Sequence, residues 1–480
     1  MQTRKAQILN NFPLFIILAA SAVARVVSAF VTMGESGGDF YNYLLMGKSL
    51  LAGGSIFIEK RLPVYALMLI PGHIASHPLG WARFLGIVLA LLTLYFLYKL
   101  LIDLRLPKAA ALTSLILLSW QPTFFLFSIR PLSHTLFDFE VIFSLFMFYK
   151  ITRGLVSSEK FSKLQIVQFV AFSLVLGLTA MTRHEGFLVA GVLIGYLIVN
   201  VLWRIWCARQ LIYVEPPHGA ALPLLTVISF AFIVLPWFIS NFQRFGNPFY
   251  TQYQTDAGLN VAYTSEKLLG NAFQMRDMFL GMWGNLGFVS VKQPWLMLTR
   301  AESFGEVVTV LTVILMLAGL VVFVRRLKWA AAPVILLFLT QFAFLTVVQP
   351  WSRHSQHILF VPAILLSLGL YSILSFKFKK VAGVLTIFFL LPVLIYLVRG
   401  DQAAVEGYIN GGQKTLSLMR ASETLQQKFP EGKVLVSEKF KTDWSDEFSL
   451  IDYYLGNRIT YSLSDNPKYI LDYNGTITAR

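Results

Sequence analysis

The feature that most constrains this chain is a succession of apolar runs, each about as long as a bilayer is thick. A helix needs about 20 apolar residues to cross the hydrocarbon core. Runs of that length occupy 12–32, 81–101, 109–128, 134–150, 164–182, 186–203, 220–240, 304–324, 330–349, 357–375 and 381–398. In lipid every backbone N–H and C=O must find a partner within the protein, which helices provide and open strands do not. The pattern therefore predicts an all-α polytopic membrane protein with about 11 spans. Only 14% of the 480 residues are charged, against about 25% in a soluble domain. The segment 62–77, LPVYALMLIPGHIASH, is too short and too interrupted by Pro and Gly for a span. It predicts an interfacial or re-entrant helix in the first outer loop.

Lys and Arg set the orientation. With the N-terminus inside, 17 basic residues flank the inner ends of the spans and 7 lie in short outer connections, the bias expected of cytoplasmic loops. This predicts a cell (plasma or inner) membrane protein with a cytoplasmic N-terminus. Loops 33–80 and 241–303 and the tail 399–480 then lie outside. The same bias explains the net charge of +15 without nucleic acid, for which no motif is present. Arg4 and Lys5 precede the first run, but that run continues to Val31, longer than a signal core, so an uncleaved first span is expected. The single cysteine, Cys207, excludes an intramolecular disulfide and a cysteine metal cluster.

The tail differs in composition. It carries many charges, an amphipathic stretch TLSLMRASETLQQKF (415–429), and the strand-like runs KVLVSEK, RITYSL and KYILDY. It predicts a small extracytoplasmic α/β domain over 399–480, following a membrane domain over 1–398.

Residues able to do chemistry gather at the outer ends of the spans. Asp39 lies in SGGDFYNYLLMGKSLLAGG (36–54). A carboxylate beside the membrane can be a general base toward an acceptor hydroxyl or amine, and equally a solvated loop residue. Tyr41 and Tyr43 nearby offer rings for stacking on sugar faces, and Lys60 and Arg61 add cations suited to phosphate. The run RPLSHTLFDFE contributes Arg130, His134, Asp138 and Glu140, with His134 and Asp138 on one helix face. Charged groups at membrane depth are costly and face the bundle interior, as helix-tying pairs or as substrate ligands. In TRHEG, Arg183 and Glu185 either pair with each other or leave Arg183 for a phosphate. In WSRHSQH (351–357), Arg353 offers a planar fork for phosphate oxygens. His354 and His357, and likewise His73 and His77, have spacings that suit a metal but lack an obvious third ligand. No cofactor is required by the sequence, and a divalent metal stays open. Arg25, within the first span beside Ser21 and Ser28, is predicted to snorkel to the outer interface.

Taken in order, GGDFYNYLLMGKSLLAGG followed by RLPVYALML, RPLSHTLFDF, TRHEGF and NFQRFGNPFYTQ resemble the GT-C superfamily of polytopic glycosyltransferases. The resemblance is closer to the bacterial glycosyltransferase family 39 group, with its relatives the protein O-mannosyltransferases and the lipid A aminoarabinose transferase. It covers about residues 12–375. The chain departs from the family pattern at His184, where Pro is usual, at RHSQH, and in having one acidic residue in the heart of the first loop. The resemblance implies that Asp39 is the catalytic base and that the donor is a polyprenyl-phosphate sugar. It also implies that transfer inverts the anomeric centre and that Arg353 holds the donor phosphate. The expected function is thus a glycosyltransferase, hexosyl or pentosyl, acting on an extracytoplasmic acceptor. The alternatives are a transporter or flippase of a lipid-linked saccharide, and a non-catalytic assembly subunit. A transporter would place ionisable residues deep in several spans and carry an internal repeat; here the ionisable residues concentrate at the outer ends and no repeat stands out.

Overall fold

The structure, a computed structural model, describes residues 2–32, 38–54, 61–157, 163–210, 221–248, 302–348, 356–378, 417–436, 446–455, 458–461, 467–471 and 476–479, with 383, 385, 386, 405, 406 and 465. In chain order the helices are α1 (Gln2–Val31), α2 (Gly38–Leu51), α3 (Pro63–Ile74), α4 (Pro78–Asp103), α5 (Lys108–Ser119) and α6 (Pro122–Ile129). There follow α7 (His134–Ser157), α8 (Lys163–Thr182), α9 (Glu185–Gln210), α10 (Ala221–Phe245), α11 (Glu302–Leu327), α12 (Ala332–Val348) and α13 (Phe360–Lys377). Ten of the predicted runs coincide with these helices; the eleventh, 381–398, lies almost wholly outside the described residues. Among the described residues, six helices are long and apolar enough to cross a membrane. This is a multi-pass membrane protein. The segment 62–77 forms α3, a shorter apolar helix, as its interruptions predict.

The predicted span 109–128 is two helices. α5 and α6 meet at a 60° bend. Pro122 cannot donate a backbone hydrogen bond and disfavours helical geometry in the residue before it, so a helix cannot run through. Gln121 restarts the chain, its side-chain carbonyl accepting the Phe124 N–H at 2.7 Å. Hydropathy averaged along the run conceals such a break.

The described chain separates into two compact units. The first comprises Met1–Ala22, Val88–Phe125 and Ser133–Asp401. The second comprises Val23–Ile87, Leu126–Leu132 and Gln402–Arg480. The tail from Gln402 onward falls in the same unit as residues Val23–Ile87.

In the first unit α8 packs between α7 and α10, and α11 lies along α13. The last pair touches backbone to backbone. A Cβ on Gly319 would stand 1.8 Å from the Leu365 carbonyl oxygen, and one on Gly369 would stand 1.9 Å from that of Leu315. Lipid tails are as apolar as Leu, so helices in a bilayer gain little from merely hiding apolar side chains; close approach through small residues supplies the packing energy. Leu97, Leu101, Leu115, Leu145, Phe172 and Leu193 are fully buried in this unit's core.

In the second unit, α14 (417–427), β1 (Val434–Val436), α15 (Asp446–Leu455), β2 (Ile459–Thr460), β3 (Tyr469–Leu471) and β4 (Ile477–Ala479) form an α/β layer. The sheet order is β2-β1-β3-β4, with β1 parallel to both neighbours and β4 antiparallel to β3. A parallel pair needs a crossover, which α15 provides between β1 and β2. The three strand-like runs each hold a strand. The Arg458 guanidinium donates to the carbonyl oxygens of Leu425, Phe429 and Gly432, at 2.6–2.9 Å, satisfying an acceptor in the last turn of α14 and two in the segment that follows it. Arg25 does not snorkel: it is fully buried in this unit, and its Nε donates to Ser128 Oγ at 2.7 Å. α1 also meets α4, where Arg83 donates to the Ala29 carbonyl at 3.1 Å.

Candidate functional site

Asp39 stands in the first turn of α2, where the positive end of the helix dipole favours a carboxylate. Leu62 is extended (φ −77°, ψ 148°) ahead of Pro63, which opens α3. An X-Pro step of this kind starts a helix from a fixed direction, and it sets Arg61 just before the helix. The Arg61 guanidinium is ion-paired and hydrogen-bonded to the Asp39 carboxylate. The Arg61 side chain is 13% exposed and that of Asp39 25%. The guanidinium also lies over the Tyr43 ring at 5.9 Å, and Tyr43 meets Tyr65 edge-on at 5.0 Å. Tyr41 and Tyr43 are 2% and 5% exposed, their rings committed to neighbouring aromatic residues.

In the same unit Arg130 is half-buried over the Phe127 ring at 5.7 Å. His73 Nδ1 is 3.3 Å from the Tyr453 hydroxyl. Burial holds its imidazole below the ordinary histidine value, with the Lys48 charge adding in the same sense and a backbone hydrogen bond to Leu44 opposing. Among the described residues no three His, Cys, Asp or Glu gather in a metal-binding group. Lys60, Arg353 and His354 lie outside the described residues.

The first unit holds a second polar cluster, built on the start of α7 and the α8–α9 hairpin. His134 and Asp138 share a face but take different partners. Asp138 accepts from Gln356 Nε2, and His134 Nε2 lies 3.1 Å from Arg183 Nη1. Arg183 Nη2 donates to Glu185 at 2.7 Å, the within-hairpin pair that TRHEG allowed. Its guanidinium also lies 5.9 Å from the Phe137 ring centre. Gln341 Nε2 donates to the Glu185 carbonyl at 2.9 Å, and its Oε1 accepts from His357 Nε2 at 3.0 Å. Thr182 donates to Glu140 Oε1 at 2.9 Å. His134, Asp138, Glu140, Glu185, Gln341, Gln356 and His357 are all buried. Buried charges are tolerated where such bonds compensate their lost hydration. The hairpin closes because residue 186 is glycine: a Cβ there would stand 2.2 Å from the Thr179 carbonyl oxygen.

The structure thus joins Asp39 to Arg61 and His134 to Arg183 and Glu185. Gln341, Gln356 and Thr182 were not foreseen. They are neutral and sit in or next to apolar helices, where charge is the more visible signal.

Residues 39–248 match the family model of dolichyl-phosphate-mannose-protein mannosyltransferases, a stretch that opens at Asp39 itself. Among solved structures, the chain is similar to the Archaeoglobus fulgidus oligosaccharyltransferase tethered with an acceptor peptide. That match has a TM-score of 0.60 at 15% identity, covering 95% of this chain and 64% of that one. It is also similar to ArnT from Cupriavidus metallidurans bound to undecaprenyl phosphate, with a TM-score of 0.58 at 15% identity over 94% of this chain and 86% of that one. The chain has a GT-C fold. A further GT-C likeness is to A. fulgidus AglB in complex with an inhibitory peptide and a dolichol-phosphate, with a TM-score of 0.55 at 14% identity over 94% of this chain and 64% of that one. The chain spans less than two thirds of the oligosaccharyltransferase it matches. No curated protein matches its sequence.

Proposed function

We propose that this GT-C protein is an inverting glycosyltransferase that moves a sugar from a polyprenyl-phosphate donor to an extracytoplasmic glycolipid, glycan or protein acceptor. The observation that carries the proposal is Asp39. It is a partly exposed carboxylate at a helix N-terminus, held by Arg61, opening the stretch that matches the mannosyltransferase model. The undecaprenyl phosphate and dolichol-phosphate bound in the similar structures support the donor class, and the tethered peptide supports an acceptor of macromolecular kind. The distribution of Lys and Arg supports an outer site, with the tail 399–480 on the same side.

The chemistry follows from one base. Asp39 takes the proton of the acceptor hydroxyl or amine as that group attacks the anomeric carbon. The carbon–oxygen bond to phosphate breaks, and the phosphate leaves with the electron pair. A single displacement of this kind inverts the anomeric centre. Arg61 orients the base through its ion pair, while Lys60, Arg130 and Arg353 are the proposed countercharges for the departing phosphate. Arg183, His134, Asp138, Glu185 and His354 are proposed substrate ligands. Loss of the gene should leave one polyprenyl-phosphate sugar accumulated and one envelope glycan lacking that sugar, as read by mass analysis of both pools. Unchanged pools and glycans would overturn the proposal.

A further inference from the structure

The tail carries no motif of the GT-C pattern, yet its helices grip α2, the helix that begins at Asp39. We propose that the C-terminal segment positions Asp39 and that Tyr453 is the positioning residue through which it acts. The contacts stand independently; their catalytic consequence rests on the reading of Asp39 as the base. Tyr453, on α15, reaches both outer-loop helices. Its hydroxyl meets His73 Nδ1 of α3 at 3.3 Å, and its ring lies 5.9 Å from that imidazole. Its backbone carbonyl accepts from Lys48 Nζ of α2 at 3.2 Å, and the same ammonium lies 5.4 Å from its ring centre. Its ring is 6.2 Å from that of Tyr41.

Tyr41 completes the grip from α14, its hydroxyl donating to Met419 Sδ at 3.8 Å. Tyr454 ties the two tail helices together by donating to Glu423 Oε1 at 3.0 Å. The tail therefore holds α2 at Tyr41, in the turn that carries Asp39, and at Lys48 in the last turn. An isolated helix of 14 residues is marginally stable in water, where helices shorter than about 12–15 residues rarely persist. α2 takes its order from what it packs on, and the direction of the Asp39 carboxylate follows.

The test is amide hydrogen exchange on the purified full-length protein, combined with steady-state transfer kinetics. In Tyr453→Ala, exchange over 38–51 should quicken by about tenfold or more, and kcat should fall by a similar factor with the donor KM within about twofold. Tyr453→Phe keeps the ring and the carbonyl contact and should recover most of both readouts. Lys48→Met removes an exposed partner and should shift both readouts the same way by about threefold. Unchanged α2 exchange in Tyr453→Ala and Lys48→Met would overturn the proposal, as would quickened exchange with unchanged kcat. Exchange over 38–51 is measured in Asp39→Asn as well, since that variant also removes the N-terminal charge of α2 and the Arg61 pair. Activity retained by Asp39→Asn would remove the base assignment and leave the exchange result to decide the grip.

Discussion

Replacing Gly186 with Ala tests the geometry of the α8–α9 hairpin directly. The new Cβ would stand 2.2 Å from the Thr179 carbonyl oxygen, 2.4 Å from its carbon and 2.7 Å from Ala180 Cα. Ordinary non-bonded contact begins near 3.5 Å, so the shortfall is about 1 Å against backbone atoms that have no rotamer to yield. The helices must part, or the turn holding Arg183 and Glu185 must open. Overpacking of this kind costs about 1–3 kcal/mol. Pulling Gln341 Nε2 away from the Glu185 carbonyl would add about 1 kcal/mol, so a loss of about 3 kcal/mol is expected. Gly191, on the same helix, supplies the control: a Cβ there meets nothing within 4 Å. Gly191→Ala should be neutral or stabilising by up to about 1 kcal/mol through helix propensity. Thermal unfolding of both variants in one detergent preparation measures the difference. Equal melting of the two variants, or a wild-type midpoint for Gly186→Ala, would refute the close contact.

Arg61→Met should lower kcat by about tenfold, and Arg61→Lys by less, because lysine keeps the charge but not the planar fork; steady-state kinetics with a lipid-linked donor reads both. Thr182→Val, nearly isosteric, leaves buried Glu140 Oε1 without its donor and should cost about 1–3 kcal/mol in denaturant unfolding. Burial holds the folded His73 below its ordinary pKa. The unfolded chain takes up a proton near pH 6.5 that the folded one refuses, so stability falls as pH drops below that value and recovers above it. Exchange over 38–51 and 63–74, corrected for intrinsic rates, should quicken between pH 7 and 5.5, and His73→Gln should remove that dependence.

The apolar helices were legible because hydropathy is a local property, sustained over each run. The break at Ser119–Pro122 was not, since Pro122 changes direction without changing mean hydropathy. The candidate acids and bases were visible as charges, but their partners were not. Asp138 binds Gln356, 218 positions away, and Tyr41 reaches Met419 across 378. Arg25 illustrates the same limit: a lone cation in a span reads as a snorkelling side chain until Ser128, 103 positions on, is folded against it. The strands of the tail showed in their β-branched and aromatic runs. Nothing local announced that this tail would join residues Val23–Ile87 in one compact unit.

The role of Asp39 is tested most directly by sugar transfer in a reconstituted assay, with purified wild-type and Asp39→Asn protein and a polyprenyl-phosphate sugar as donor. General-base catalysis contributes about 10²–10⁴-fold, so the variant, folded and with the wild-type melting curve, should transfer at least about a hundredfold more slowly. Transfer at the wild-type rate would contradict the assignment.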